Sequence, residues 1–190
     1  MNVAEAVSNI LILTSRPDKS VEALKALNYA IQFCTLKGEF GRDKVEATLV
    51  IPSTTYGGTV SLASLTRFRR FTYVKPTGVL YYLTKLDGEK IFTPKNSMQP
   101  NVYYVAGTSL TYTLSALSPS LEISYLTYPL TLDTVTNTTH WMLDIMPFAI
   151  IDIAASRIFQ DIGDEASATR FKGSGIEMYD IMRRDVNQGG

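Results

Sequence analysis

At 190 residues the chain is long enough for one domain, or one domain with a large insertion, and its 45% apolar content supplies a substantial core. The 18 Lys and Arg balance 18 Asp and Glu, which excludes the overall basic footprint usual in nucleic-acid binders and leaves only local patches open. A single cysteine, Cys34, excludes an internal disulfide and a cysteine-rich metal site; with no basic-plus-apolar leader and no apolar run of about 18 residues, synthesis and residence in a reducing cytosol are expected.

Val3, Val7, Ile10 and Leu11 predict a short amphipathic helix ending before Pro17, because the residue before proline avoids the α region. Asp18 or Ser20 is the expected cap of a second helix. Val21, Leu24, Leu27, Ile31 and Cys34 form a stripe along it, over about five turns. Tyr29, Phe33 and Leu36 add a second stripe, which predicts cover on two sides. Gly38 and Gly41 stop the helix.

From Lys44 to about Thr136 the period is 2. Val45, Ala47, Leu49 and Ile51 alternate until Pro52, and Val60 and Leu62 suggest a short partner across Tyr56-Gly-Gly-Thr59. Phe71, Tyr73 and Val79–Leu83 continue the pattern, with Asp87-Gly88 as a hairpin-type turn. Val102–Ala106 and Leu110, Tyr112 and Leu114 read as a hairpin around Gly107-Thr108-Ser109. Leu121, Ile123 and Tyr125 face one way on the next strand, which Pro129 ends. An antiparallel unit of five to seven strands is expected here.

Helical spacing returns at Trp141–Met146 and continues through Pro147. Phe148, Ile151, Ala155, Ile158 and Ile162 are spaced 3, 4, 3, 4 on one helical face, and Pro147 suits a first turn. Gly163 supplies the C′ position and Asp164 the next N-cap, with Glu165 favoured by the helix dipole. Ala168, Phe171, Gly175, Met178 and Met182 repeat the stripe. The expected fold is therefore α+β: residues 1–43 and 137–188 form an antiparallel bundle of about four helices, interrupted by a β-rich insertion at 44–136.

The passage Val102-Tyr-Tyr-Val-Ala-Gly-Thr-Ser-Leu-Thr-Tyr-Thr-Leu114, with Leu121-Glu-Ile-Ser-Tyr-Leu-Thr-Tyr-Pro129, is followed by Trp141-Met-Leu-Asp-Ile-Met-Pro-Phe-Ala-Ile-Ile-Asp-Ile-Ala-Ala155 and Asp161-Ile-Gly-Asp-Glu-Ala-Ser-Ala-Thr-Arg-Phe171. This succession resembles the head-to-tail adaptor (connector) proteins of tailed bacteriophages over most of the chain. The resemblance implies a structural virion protein of the neck, assembled in the host cytoplasm as a dodecameric ring beneath the portal. It implies portal and tail or nozzle proteins as partners, passage of double-stranded DNA without sequence-specific binding, no membrane, no cofactor and no enzymatic activity. In such rings the helical bundle packs against its neighbours, the C-terminal segment docks on the portal and the β part faces the tail. Gly173 and Gly175, each costing about 1 kcal/mol against alanine in a helix, predict a break near Lys172–Gly175. That break frees Ile176–Val186 to dock, which makes Ile176, Met178, Tyr179, Met182, Arg183 and Arg184 the expected portal contacts. Trp141, Phe148, Ile151, Ile158 and Phe171 are the expected inter-subunit or bundle packing residues.

The remaining candidates carry little chemistry. His140, the only histidine, would have to serve any Ser-His-Asp triad and reads instead as a polar residue at a helix start. Cys34 reads as a buried inert thiol. Lys172-Gly-Ser-Gly175 lacks the spacing of a phosphate loop and follows a helix. Asp152, a lone carboxylate in an aliphatic helix, is expected to pair with Arg157 or a neighbouring subunit's cation, or to mark a solvated edge. Arg67-Phe-Arg-Arg-Phe71 places Arg67, Arg69 and Arg70 for weak contact with DNA phosphates or an acidic partner, or simply on a solvated strand face. The alternatives are another neck ring protein of the terminator type, or a monomeric module holding a ligand such as a glycan on its β insertion. Paired carboxylates, metal-ligand spacing and a nucleotide fingerprint are all lacking.

Overall fold

A computed structural model describes residues 1–86 and 100–188, the last two by backbone alone. The chain is mixed α+β and divides into two compact units, residues 1–42 with 129–190 and residues 43–128. The first is helical, and the expected Asp87-Gly88 turn of the second lies outside the described residues.

In the helical unit, α1 spans Val3–Thr14, α2 Ser20–Lys37, α3 Trp141–Ile145, α4 Pro147–Asp161 and α5 Glu165–Gln188. A reciprocal cap starts α1: the Glu5 backbone N–H donates to Asn2 Oδ1 at 2.9 Å, and the Asn2 N–H donates to Glu5 at 3.0 Å. The helix stops at Ser15, which takes a left-handed conformation (φ 53°) two residues before Pro17. The expected cap of α2 is absent. Asp18 pairs with Arg16 at 2.7 Å instead, and Lys19 stands at the N-cap with no side-chain capping bond, its ammonium pairing with Glu22 at 3.4 Å.

Helix α4 is buried nearly all round, from Ala149 to Phe159, as expected of a helix apolar on every side. It packs against α1, α2 and α5. Pro147 occupies its first turn, and Gly163 (φ 80°) ends it. The Gly163 N–H donates to the Gln160 carbonyl and the Asp164 N–H to the Phe159 carbonyl, the 5→2 and 6→1 pair of a Schellman turn. Asp164 then caps α5 by accepting from the Ser167 N–H at 3.0 Å.

Two expectations for these helices are corrected. The buried face of α2 is Ala23, Ala26, Leu27, Ala30, Ile31 and Cys34, whereas Val21 is 62% exposed and Tyr29 and Leu36 face out. Alanines let helix axes approach, so the contact forms on the small-residue face. Helix α5 runs unbroken through Lys172–Gly175. A Cβ at Gly175 would stand 2.7 Å from Ile153 Cγ1 and 2.9 Å from the Ala149 carbonyl, so the glycine permits close packing on α4 and the packing offsets its propensity cost.

The β unit begins with a 3₁₀ turn, Gly41–Asp43, which straddles the boundary. Its strands are β1 Lys44–Val50, β2 Gly57–Ser61, β3 Phe68–Pro76, β4 Thr84–Lys85, β5 Val102–Ala106, β6 Ser109–Thr113 and β7 Ser120–Thr127. One sheet has the order β1-β7-β3, the other β2-β6-β5-β4. The hairpin at Gly107-Thr108 forms as expected, with Ala106 opposite Ser109. The expected β1–β2 pairing does not: β1 pairs with β7 and β2 with β6. Residues Val79–Leu83 lie outside any strand, and the short β4 runs parallel to β5. Leu49, Val74, Leu121 and Ile123 from one sheet share a core with Tyr103, Leu110 and Tyr112 from the other.

The boundary between the units also moves. Residues 129–136, expected in the insertion, belong to the helical unit. Leu132 is buried in the helical core, its N–H donates to Asn28 Oδ1 at 2.7 Å, and its carbonyl accepts from Asn28 Nδ2 at 3.0 Å. Pairing both groups removes the cost of burying that backbone.

Candidate functional site

The C-terminal residues expected to dock are largely committed to the chain's own bundle. Tyr179 is fully buried against Phe40, ring to ring at 6.1 Å, and its hydroxyl donates to the Cys34 carbonyl at 2.8 Å. Burial pushes the Tyr179 phenol up to about 12, so it remains a donor. Arg183 donates to the Lys37 carbonyl at 3.1 Å, and Asp180 pairs with Lys37 at 2.9 Å. Helix α5 thereby satisfies the Lys37 carbonyl, which α2 itself cannot, and adds a second donor at the Cys34 carbonyl, which also accepts from the Gly38 N–H. Ile176, Met178 and Met182 are half-buried against the same core. Arg184 is exposed, and so is Ile181, which periodicity did not single out.

Of the expected packing residues, Ile151 and Ile158 are buried, Trp141 packs edge-on against Phe40 at 4.9 Å, and Phe171 stacks on Phe159 at 5.2 Å. Phe148 departs from them. It is 68% exposed, so it packs nothing substantial within its own chain.

Arg67, Arg69 and Arg70 are spread by the backbone. Arg67 adopts φ 52° and its guanidinium donates to the Tyr128 carbonyl at 2.9 Å. Phe68 faces Thr127 while Arg70 faces Leu126, which makes Arg69 an extra residue in the strand. That bulge brings Phe68 and Phe71 to one side, with their rings 4.7 Å apart. Arg70 is exposed and Arg69 half-buried.

His140 is the N-cap of α3, its Nδ1 accepting from the Met142 N–H at 3.3 Å. Cys34 is fully buried, and its thiol is pushed up to about 12 by that burial. Asp152 does not pair with Arg157. It accepts from the Ser174 hydroxyl at 2.9 Å, and burial raises its carboxyl above the usual aspartate value, with the Ser174 bond acting against the rise. Arg157 follows Asp152 by five positions, about 140° around the helix, which carries the two apart.

Arg157 instead lies over the Tyr29 ring at 5.4 Å and donates to Gln160 at 3.2 Å. The pair walls a cleft of about 150 Å³ that Phe33, Ile153 and Lys172 also line. Beyond Tyr29 and Arg157 lies a hollow with Glu22, Lys25 and Asp161 at its edge. Sequence reasoning missed this cleft, and its one signal was the outward stripe Tyr29, Phe33 and Leu36.

Among the described residues no group of three or more His, Cys, Asp and Glu side chains is placed to hold a metal ion. None of their helices is long and apolar enough to cross a membrane. Compared with protein-family models and with curated proteins, the sequence matches none.

Proposed function

We propose that the protein is a structural virion component, a head-to-tail adaptor whose copies form a dodecameric ring between the portal and the tail and continue the DNA channel. The observation that carries this reading is the surface of the helical unit. Its core is already filled, yet Ile12, Val21, Phe148 and Ile181 remain largely exposed on regular helices. Large apolar side chains left outside a completed core suit contact with further polypeptide. A ring subunit needs such surfaces on two sides, since each copy meets two neighbours.

In this reading the portal contact falls on the exposed end of α5, around Arg184, because Tyr179 and Arg183 are engaged within the bundle. The arginines of β3 meet an acidic partner or passing DNA weakly, as a channel must let DNA slide. Light scattering and electron microscopy of the purified chain, with and without its cognate portal ring, test the proposal. Closed rings are expected, at the latest on the portal. A chain that stays monomeric on the portal, or binds duplex DNA tightly and salt-sensitively, overturns it.

A further inference from the structure

Two surfaces of the helical unit have complementary chemistry. On one side of the α4–α5 hairpin, Ser174 meets Asp152 and Phe171 stacks on Phe159. Phe148 lies one turn from Asp152 on that side, and Ile181 about two turns from Ser174. Phe148 is 68% and Ile181 56% exposed, so a half-buried carboxylate is bordered by uncovered apolar side chains. Any body that covers them dries Asp152 further and must bring a cation to it.

The chain carries such a cation on the reverse side. Phe148 and Arg157 are nine residues apart, about two and a half helical turns, so they point in opposite directions from α4. There the Arg157 guanidinium stands against Tyr29, beside Lys172 and the cleft. We infer that copies of the chain join head to tail, the Phe148–Asp152 side of one seated on the Tyr29–Arg157 cleft of the next. A two-fold pairing of the Phe148 side with itself would bring two carboxylates together as the interface dries, which is costly. A contact between opposite faces repeats from copy to copy, as a ring requires. The inference rests on the ring reading and assigns its interface.

Charge reversal tests it. Asp152→Lys alone and Arg157→Glu alone each place like charges at every contact, and assembly is expected to need about tenfold more protein or more. An equal mixture of the two variants restores assembly, because alternating copies regain opposite charges at each junction. As a second measurement, Phe148→Cys and Tyr29→Cys alter exposed positions, and Cys34 is buried out of reach. A mixed disulfide is expected only when the two proteins are combined. Wild-type rings that persist in both charge variants, a mixture that fails to restore them, or a Phe148→Cys self-disulfide overturns this interface and leaves the ring reading standing. A wild-type chain that never assembles, with or without the portal ring, overturns both.

Discussion

The helical unit and the β unit hide their apolar side chains by different means. In the β unit the backbone bends to suit the side chains. Register shifts at Arg69 and Thr72 let Phe68, Phe71 and Val74 all reach the core although their spacing is three, which a regular strand would split between faces. In the helical unit the backbone stays regular and composition adapts, with Ala23, Ala26 and Ala30 on α2 and Gly175 on α5 drawing the helices together. A regular helix cannot redirect a side chain that falls off the buried face. Phe148 and Ile181 therefore stay outside on helices, whereas in the β unit Leu80 and Leu117 are exposed in loops and Val50 only at the end of β1. Exposed apolar residues on a rigid helix form a fixed docking surface, and those on a loop do not.

The largest effect expected from breaking this arrangement is at Tyr179. Truncation to alanine removes a fully buried ring and its bond to the Cys34 carbonyl, and should cost about 3–5 kcal/mol. Tyr179→Phe should cost only about 1 kcal/mol, because the Gly38 N–H still donates to that carbonyl at 3.1 Å. The fluorescence of Trp141, the only tryptophan, reports both losses in a urea titration. Leu121→Ala is the counterpart in the β unit, where loss of a fully buried side chain on the central strand should cost about 2–5 kcal/mol. Hydrogen exchange of the β7 amides measures it.

Two glycines in one helix sharpen the contrast further. Gly175→Ala forces a methyl group against Ile153 and the Ala149 carbonyl and should cost about 1–3 kcal/mol. Gly173→Ala meets nothing within 4 Å and should stabilise by about 1 kcal/mol. If thermal melts show that both substitutions stabilise, α5 does not approach α4 closely at Gly175.

The smallest effect concerns pH. The folded state raises the Asp152 carboxyl above its unfolded value, so it favours the protonated form. The contribution of this group is greatest at low pH and is lost as pH rises through the folded pKa, which burial raises above the usual aspartate value. Asp152→Asn keeps an acceptor for Ser174 and should flatten that part of the stability–pH curve without lowering the melting temperature at neutral pH. A steeper curve in the variant would contradict the assignment.

Local chemistry in the sequence determined most of the elements. The Gly107-Thr108 hairpin, the stop at Gly163, the cap at Asp164 and the end of α1 before Pro17 all depend on a few neighbouring residues, and each is legible by eye. Which faces of those elements are covered was decided by the tertiary structure alone. Val21 and Phe148 sit on apolar stripes as regular as those of Leu27 and Ile151, yet only the latter two are buried. Periodicity describes one helix, whereas burial depends on which partner fits closest, and alanines and a glycine settled that. The same holds for Tyr179, for β1 meeting β7 instead of β2, and for Leu132 joining the helices. Each rests on a contact between residues far apart along the chain, where local propensity carries no information.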